Sequence, residues 1–169
     1  MPYTPILGTL CYVVDGDRVL LIHRVGRPDD QHLGKYNGLG GKVEPDEDVV
    51  SSVIREVREE AGIVLDAPRL RGTISWPGFG AGGEDWFGFV FVAHTWSGVI
   101  APDNREGVLE WVPLARLLTF DLELWPGDRF FLPLVFDASV AQFHGVMPYR
   151  DGQPESWRVS VVPGDATPG

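Results

Sequence analysis

Residues 41–63 read GKVEPDEDVVSSVIREVREEAGI and contain the most informative pattern of the chain. Glu56, Glu59 and Glu60 are three and four residues apart, so on a helix they occupy one edge within about a third of a turn. Like charges at this spacing repel by about 0.2–0.5 kcal/mol per pair. The edge is therefore either a solvated acidic face or a place where a cation binds.

The same stretch predicts an amphipathic helix. Pro45 and Asp46 are typical of a helix start, and Gly62 is typical of a helix end. Apolar side chains recur on one side between these positions, at Val49, Val50, Val53, Ile54 and Val57. This stripe is expected to pack against a sheet.

Strand patterns surround the helix on both sides. Residues 9–14 and 18–24 predict a β-hairpin that turns at Asp15 and Gly16, and residues 26–41 predict a loop. Farther along, β-branched and aromatic runs predict strands, and a second helix follows the sequence WPGD. These later strands are expected at residues 70–76, 86–95, 109–112, 140–149 and 156–162, with the helix at residues 129–136. Mixed elements of this kind indicate an α/β protein.

Composition limits the classes of function. The 169 residues carry 14 Lys and Arg against 24 Asp and Glu, which gives a formal net charge of −10. A protein that binds polymeric nucleic acid normally has a basic surface, so this class is disfavoured. A small anionic substrate remains compatible with the charge if metal ions neutralise it locally.

Neither the cysteine nor the histidines indicate a further functional site. Cys11 is the single cysteine, and its setting in TLCYVV predicts a small buried hydrophobe rather than a reactive thiol. The four histidines show no metal-ligand spacing, so none is assigned a role. The chain has neither the start of a secretory signal nor an apolar run long enough for a membrane span, and the cytoplasm is the expected location.

Spacing within residues 41–63 then identifies a family. Gly41, Glu47 and the segment REVREEAGI at residues 55–63 match the Nudix box at every defined position. Seven of these positions require one particular residue, and seven exact matches arise by chance with odds on the order of 10⁻⁸ per starting point. The chain therefore resembles the Nudix hydrolases, and this resemblance implies an α/β/α sandwich around a mixed sheet.

The resemblance also implies a metal site and a catalytic set. The implied cation is Mg²⁺, with Mn²⁺ as the alternative, and the implied reaction is hydrolysis of a nucleoside diphosphate linked to another group. Glu47 and Arg55 are expected to form a scaffold pair. The implied metal ligands are the backbone of Gly41 and the side chains of Glu56, Glu59, Glu60 and Glu106, and the catalytic set is these four glutamates with Arg55.

Segments outside the box resemble the MutT-type enzymes of the family, including the MutX-type proteins, which cleave oxidised purine nucleoside triphosphates such as 8-oxo-dGTP. These segments are LGKYNGLGGKVEPDE, EGVLEWVP and LWPGDRFFLPL, and the similarity covers most of residues 6–136. A DNA-repair role in sanitising the nucleotide pool follows from this likeness. The implied substrate-binding residues are Arg24, Asn37, Lys42, Trp76, Trp125 and Asp128.

Five of these six residues also have a plainer interpretation. Asn37 is in a glycine-rich loop, where asparagine often bonds its own backbone or adopts a left-handed conformation. Asp128 could cap the second helix. Trp76 and Trp125 could fill a core, and Arg24 could pair with a surface carboxylate.

Other functions and the organisation of the chain stay open at this stage. Pro77 lies where ADP-ribose-cleaving relatives carry a proline, so ADP-ribose or another nucleoside diphosphate derivative is the second candidate substrate. A Nudix domain without catalysis that senses nucleotides is the third, less favoured because every box carboxylate is present.

One domain is expected over residues 1–163, with a core at about 6–136, a β extension at about 137–163 and a flexible tail at 164–169. The expected partner is a small nucleotide, without polymeric nucleic acid or membrane, for a monomer or homodimer.

Overall fold

The computed structural model describes residues 1–165, and a mixed sheet forms the middle of this part of the chain. Its strands are, in spatial order, β13 (Arg158–Pro163), β10 (Val140–Val146), β5 (Arg69–Trp76), β6 (Trp86–Ala93), β1 (Ile6–Asp15), β2 (Arg18–His23), β9 (Gly107–Pro113) and β8 (Asp103–Asn104), with β3 (Tyr36–Asn37) paired to β2. The pairs β1 with β6 and β5 with β10 are parallel. The remaining neighbours are antiparallel.

Helices cover both faces of this sheet. One face packs against α1 (Val49–Ala61), and the other packs against α2 (Leu114–Leu118) and α3 (Asp128–Phe136). Side chains of β1 alternate between the two cores, because successive residues of a strand point to opposite faces. Cys11 and Val13 belong to the core under α1, whereas Tyr12 and Val14 belong to the other. The predicted α/β/α sandwich is confirmed.

The first helix begins later than the sequence suggested. Its N-cap is Asp48, whose Oδ1 accepts from the backbone N–H groups of Val50 and Ser51, both at 2.9 Å. The predicted start at Pro45 and Asp46 is therefore wrong, because Asp48 provides the capping oxygen. The predicted end is confirmed, since Gly62 adopts φ 75°, a left-handed conformation that suits glycine.

The apolar stripe of α1 is narrower than predicted. Val53 and Val57 are fully buried, whereas Val50 is 41% exposed. The buried stripe continues at Ala61 instead. This stripe orients the helix, so that Glu56 and Glu60, which flank it, lie beside the loop that precedes the helix.

The remaining predicted elements are confirmed within a few residues, and several short ones were missed. The β1–β2 hairpin turns at Gly16, where φ is 61°. The missed elements are α2, β3, β8, the pair β4 (Val64–Asp66) with β7 (Thr95–Ser97), and the pair β11 (Tyr149–Arg150) with β12 (Gln153–Pro154). Each has two to five residues, which is too short for a periodic pattern.

A buried arginine holds the end of α3. The Arg71 guanidinium donates to backbone carbonyls at the end of the helix and in the segment that follows, at distances of 2.8–3.3 Å. These carbonyls belong to Leu134, Val135, Asp137, Val140 and Ala141. Arg71 thereby satisfies carbonyl groups that the helix leaves without partners and fixes α3 against β5 and β10.

The C-terminal strands extend the sheet beyond β5. The N–H of Gly164 donates to the Ser139 carbonyl at 2.8 Å, so backbone pairing continues one residue past β13. Residues 166–169 of the predicted tail lie outside the described part of the chain. In residues 1–165, no helix combines the length and the apolar composition that crossing a bilayer requires.

Candidate active site

A cavity of about 480 Å³ runs from the C-terminal half of α1 to the N-terminus of α3. It brings together most of the residues that the sequence singled out. These are Arg24, Asn37, Gly41, Lys42, Glu56, Glu60, Trp76, Glu106, Trp125 and Asp128. Arg55 and Glu59 lie outside the cavity wall. Carboxylates gather at one end, which we call the carboxylate end, and aromatic rings at the other, the aromatic end.

Arg55 organises the carboxylate end from behind. It forms two bonds to Glu47, at 2.9 and 2.6 Å, and one each to Glu56 at 2.9 Å and Glu59 at 3.3 Å. It also donates to the Lys42 carbonyl at 3.1 Å. Hydrogen bonds from Arg55 lower the pKa of the Glu47 carboxyl to about 2. The geometry is that of the predicted scaffold pair, joining the loop before α1 to the helix.

Glu56 occupies a space that only a glycine leaves open. A Cβ atom on Gly41 would lie 2.4 Å from the Glu56 Cδ atom. The Gly41 carbonyl faces elsewhere, since it accepts from the Thr9 N–H at 2.8 Å and from the Thr9 hydroxyl at 3.4 Å. Both acceptor positions of this oxygen are therefore in use. The predicted role of the Gly41 backbone as a metal ligand does not fit this arrangement.

Glu60 is the most deeply buried glutamate of the carboxylate end. Its Oε2 accepts from the Gly40 N–H at 3.4 Å. Burial raises the pKa of Glu60 well above its ordinary value, and the negative charges of Glu106 and Glu56 raise it further. Burial likewise raises the pKa of Glu56. Negative groups that are costly to ionise together are suited to a divalent cation, which removes their repulsion.

These carboxylates are held apart by arginines. In residues 1–165, no three His, Cys, Asp or Glu side chains converge closely enough to form a ready cation site. Arg55 holds Glu56 and Glu59, and an Arg24 nitrogen lies 3.4 Å from a Glu106 oxygen. Hard oxygen donors are present around one cavity and fit a divalent cation chemically. Glu59 is 57% exposed and would have to leave Arg55 to join them.

Arg24 connects the carboxylate end with the neighbouring loop. It makes a two-pronged bond to Asp30, at 2.7 and 3.0 Å. The Asp30 side chain is only 6% exposed. Burial raises the pKa of Asp30, but the hydrogen bonds from Arg24 prevail and the net shift is downward. Arg24 therefore pairs with carboxylates inside the cavity wall and not with a surface carboxylate.

Asn104 was missed by the sequence analysis, although it positions Glu106. Its Oδ1 accepts from the Glu106 N–H at 2.8 Å, and its Nδ2 donates to the Glu60 carbonyl at 3.0 Å. One side chain thus joins the Glu106 loop to the end of α1. No sequence signal marks it, because asparagine is common in turns for unrelated reasons.

Large rings line the aromatic end. Phe79 lies 4.8 Å from Trp125 and 5.0 Å from Tyr149, measured between ring centroids, and both pairs meet edge to face. Trp76 lies over Gly88, where a Cβ atom would come within 2.3 Å of the indole. Trp76 and Trp125 pack against the core on one side and line the cavity on the other. Phe79 and Tyr149 were not singled out from the sequence.

Asp128 and Asn37 are the polar groups that the sequence placed at this end. The interpretation of Asp128 as a helix cap is wrong, since Gly127 is the N-cap of α3 and no side chain caps it. Burial raises the pKa of Asp128 to about 7, against the weaker opposing effects of a backbone hydrogen bond and Lys35. Asn37 pairs with Ile22 through β3 and is not among the residues with positive φ. Both residues line the cavity.

His32 is a further cavity residue that the sequence analysis left without a role. The Trp125 indole N–H donates to His32 Nδ1 at 2.7 Å. Burial lowers the pKa of His32 to about 4, helped by the positive charge of Arg24. The residue lies in a loop without periodicity, so its contact with a residue 93 positions later left no signal in the sequence.

The fold and the site together are those of a hydrolase that acts on nucleotide derivatives. The chain belongs to the NUDIX domain family, whose sequence model matches residues 4–135. The resemblance that the box indicated is thus confirmed, as is the prediction of an enzyme. Members of this family generally use divalent cations.

Relatives cover nearly the whole chain. An uncharacterised Nudix hydrolase, YvcI of Bacillus subtilis, is 32% identical over 145 residues, which are 83% of this chain and 85% of the relative. The oxidised purine nucleoside triphosphate hydrolase of Mus musculus is 30% identical over 149 residues, 88% and 89% of the two chains. The crystal structure of a MutT protein from Bacillus halodurans superposes with a TM-score of 0.78 at 30% identity, covering 91% of this chain and 97% of the other.

Proposed function

We propose that the protein hydrolyses oxidised purine nucleoside triphosphates, such as 8-oxo-dGTP, to the monophosphate and pyrophosphate, and thereby sanitises the nucleotide pool. The observation that carries this proposal is the continuity of the cavity. Its carboxylate end suits a metal-bound phosphate chain, and its aromatic end suits a purine. A nucleoside triphosphate presents these two chemistries at its two ends.

At the carboxylate end, the phosphate chain needs positive charge. Glu56, Glu60 and Glu106 would hold Mg²⁺, with Mn²⁺ as the alternative, and Glu59 could join after release from Arg55. When bound, the cation supplies charge neutralisation and acidifies the attacking water. Arg24 and Lys42 line the same cavity and can contact phosphate oxygens directly.

At the aromatic end, the residues suit a flat ring with mixed polar edges. Trp76 and Trp125 offer stacking surfaces, and Asn37 offers an amide that both donates and accepts. A pKa of about 7 leaves Asp128 close to half protonated at neutral pH, so its carboxyl can donate or accept a hydrogen bond. 8-Oxoguanine differs from guanine by a C8 oxygen and by an N7 that carries hydrogen, which makes such adaptable groups relevant.

The overall similarity to the mouse oxidised purine nucleoside triphosphate hydrolase also supports this choice of substrate. Membership of the family supports hydrolysis, and the choice of base rests on this similarity and on the residues that line the aromatic end.

A substrate panel tests the proposal. The values of kcat/KM should be compared for 8-oxo-dGTP, 2-oxo-dATP, dGTP, ADP-ribose and dinucleoside polyphosphates, each with Mg²⁺, Mn²⁺ or EDTA, since specificity is a ratio of these values. We expect 8-oxo-dGTP to be the best substrate and EDTA to abolish turnover. A preference for ADP-ribose would replace the proposed substrate, and binding without turnover would indicate a nucleotide sensor.

A further inference from the structure

A strap formed by residues 30–32 crosses the cavity wall and joins its two ends. Asp30 bonds Arg24 at 2.7 and 3.0 Å, and its Oδ1 accepts from the His32 N–H at 3.0 Å. Gln31 Nε2 donates to the Phe79 carbonyl at 2.7 Å. These contacts hold the chain before His32, and the Lys35 N–H donates to the His32 carbonyl at 2.9 Å after it, so the position of the imidazole is set by the fold.

The imidazole packs against two rings of the aromatic end. Its centroid is 5.4 Å from that of Trp125, with an interplanar angle of 83°, and 5.9 Å from that of Phe79. An indole N–H can only donate, so the 2.7 Å bond from Trp125 requires His32 Nδ1 to be the acceptor. In a neutral imidazole the proton is then on Nε2.

The Nε2 atom of His32 has no hydrogen-bond partner among residues 1–165, whose one hydrogen bond to the ring is at Nδ1. Among residues 1–165, Ser52 Oγ is the one fully buried side-chain polar atom without a hydrogen-bond partner. The hydrogen bonds of the His32 ring involve Nδ1, and the residue is partly exposed and lines the cavity. The Nε2 atom is absent from that class, so it is not fully buried, and a ligand in the cavity that His32 lines can bond to it. The low pKa of His32, about 4, keeps the ring neutral at neutral pH.

We propose that His32 is a specificity-determining residue, which donates its Nε2–H to an exocyclic carbonyl oxygen of the purine base while its Nδ1 holds the Trp125 ring in place. This inference rests on the proposed function, because it assumes a purine at the aromatic end. A carbonyl at C6 or C8 accepts such a bond. An exocyclic amino group, as in adenine, would present a donor to a donor and lose the contact.

Three substitutions separate the two roles of the ring. His32→Asn places an amide oxygen near the Nδ1 position, so it retains the acceptor for Trp125 and lacks the donor at Nε2. His32→Gln reaches the Nε2 position with an amide N–H and loses the acceptor for Trp125. His32→Phe loses both groups. His94→Phe is the control, because His94 is an exposed histidine outside the cavity.

The first measurement is base preference. The ratio of kcat/KM for 8-oxo-dGTP over dATP should fall roughly 10-fold in His32→Asn and His32→Phe, mainly through KM, and stay within about threefold of the wild type in His32→Gln and His94→Phe. The ratio of 8-oxo-dGTP over dGTP falls as well only if the bonded oxygen is at C8. An unchanged ratio for dATP in His32→Phe, or a wild-type preference for dATP, would overturn the inference.

The second measurement does not depend on turnover. Calorimetry in EDTA gives the dissociation constants of 8-oxo-dGMP and dAMP, and their ratio should follow the same order of variants. The indole N–H resonance of Trp125, assigned with Trp125→Phe, should shift in His32→Gln and His32→Phe and stay in place in His32→Asn. An indole resonance that stays in place in all three variants would contradict the positioning role.

These measurements separate the inference from the proposed function. If the wild type hydrolyses none of the triphosphates but 8-oxo-dGMP binding still depends on His32, the hydrolytic function fails and the inference stands. If 8-oxo-dGTP is hydrolysed and neither ratio changes when His32 is substituted, the proposed function stands and the inference fails.

Discussion

The carboxylate end and the aromatic end of the cavity are built in different ways. Residues within 20 positions of one another form most of the carboxylate end, where Arg55 bonds Glu47, Glu56 and Glu59. The aromatic end joins distant parts of the chain, such as His32 and Trp125, which are 93 positions apart. A local spacing can encode the first arrangement, whereas the second depends on how loops pack together.

The two ends also differ in what they are expected to do. The carboxylate end should serve every substrate with a phosphate chain, because its groups act on charge. The aromatic end should affect only the choice of base. Substitutions at the two ends should therefore change activity in different patterns across a substrate panel, and these patterns test the proposed division of roles.

The largest effect is expected at Glu60. Replacing Glu60 by Gln keeps its size but removes a buried negative charge that a cation would neutralise, so kcat/KM should fall at least roughly 100-fold for every substrate. Mg²⁺ should also raise the melting temperature of the wild type, relative to EDTA, more than that of Glu60→Gln. Steady-state kinetics and thermal melting measure both effects.

Glu155→Gln is the control for this substitution, since Glu155 pairs with Arg150 on the surface. It should leave turnover and the Mg²⁺ response unchanged. Near-normal activity of Glu60→Gln would show that the acidic edge of α1 does not hold a catalytic cation, and the contrast between the two ends would disappear.

A smaller effect is expected at Arg55, which holds the carboxylate end together. Arg55→Lys keeps the charge but loses the fork that bonds Glu47 twice, so the free energy of unfolding should fall by about 1–3 kcal/mol. Urea denaturation in EDTA measures this change. Activity should fall for all substrates alike, since Glu56 loses its partner.

Arg150→Lys provides the comparison for Arg55, because Arg150 is an exposed arginine in a surface pair. Its free energy of unfolding should match that of the wild type. A loss of activity in Arg55→Lys that varied with the base would contradict a purely local role for the carboxylate end.

The last effect is expected at Asp128 and appears only when the pH is changed. Its pKa is about 7 in the folded protein against an ordinary value of 3.8, so the folded state binds more protons between these pH values. Stability should therefore decrease as pH rises from about 4 through about 7, and Asp128→Asn should remove that part of the slope. The difference between the proteins should be roughly 1–3 kcal/mol between pH 5 and pH 8.

Urea denaturation in EDTA at the two pH values measures this difference, with the exposed Asp103→Asn as the control. Asp128→Asn should also change the preference among bases while turnover of the other nucleotides persists. Equal slopes in wild type and Asp128→Asn would mean that the carboxyl is hydrated, and the aromatic end would lose its adaptable group.

The fold followed from patterns that depend on neighbouring residues. The β-rich run of β1, the glycine at the end of α1 and the valines along that helix each reflect local geometry, and these elements are where they were expected. The start of α1 was misplaced, because Pro45, Asp46 and Asp48 all suit a helix start and only the observed hydrogen bonds to Val50 and Ser51 select Asp48. The short strands were missed because their pairing is tertiary.

Candidate site residues were likewise found where a local pattern or a resemblance marks them. The glutamates of α1 and their scaffold arginine were found from spacing, and Asn37, Trp125 and Asp128 were found from resemblance. The backbone of Gly41 was assigned to a metal, but its carbonyl bonds Thr9 of β1, a contact that no spacing within residues 41–63 contains. Asn104, Phe79 and Tyr149 were missed because turn residues and aromatic residues have many uses.

The sequence by itself determined the family, the sandwich of helices around a mixed sheet and the glutamate edge of α1, because helix and strand periodicity and the spacing of a motif are written along the chain. Only the tertiary structure decided which loops close the cavity, that Asp128 is buried with a pKa of about 7, and that His32 accepts from Trp125. Burial and contacts between distant residues exist only after the sheet has formed. A local spacing therefore marks the carboxylates of α1, but it does not mark the contacts between distant residues that form the aromatic end.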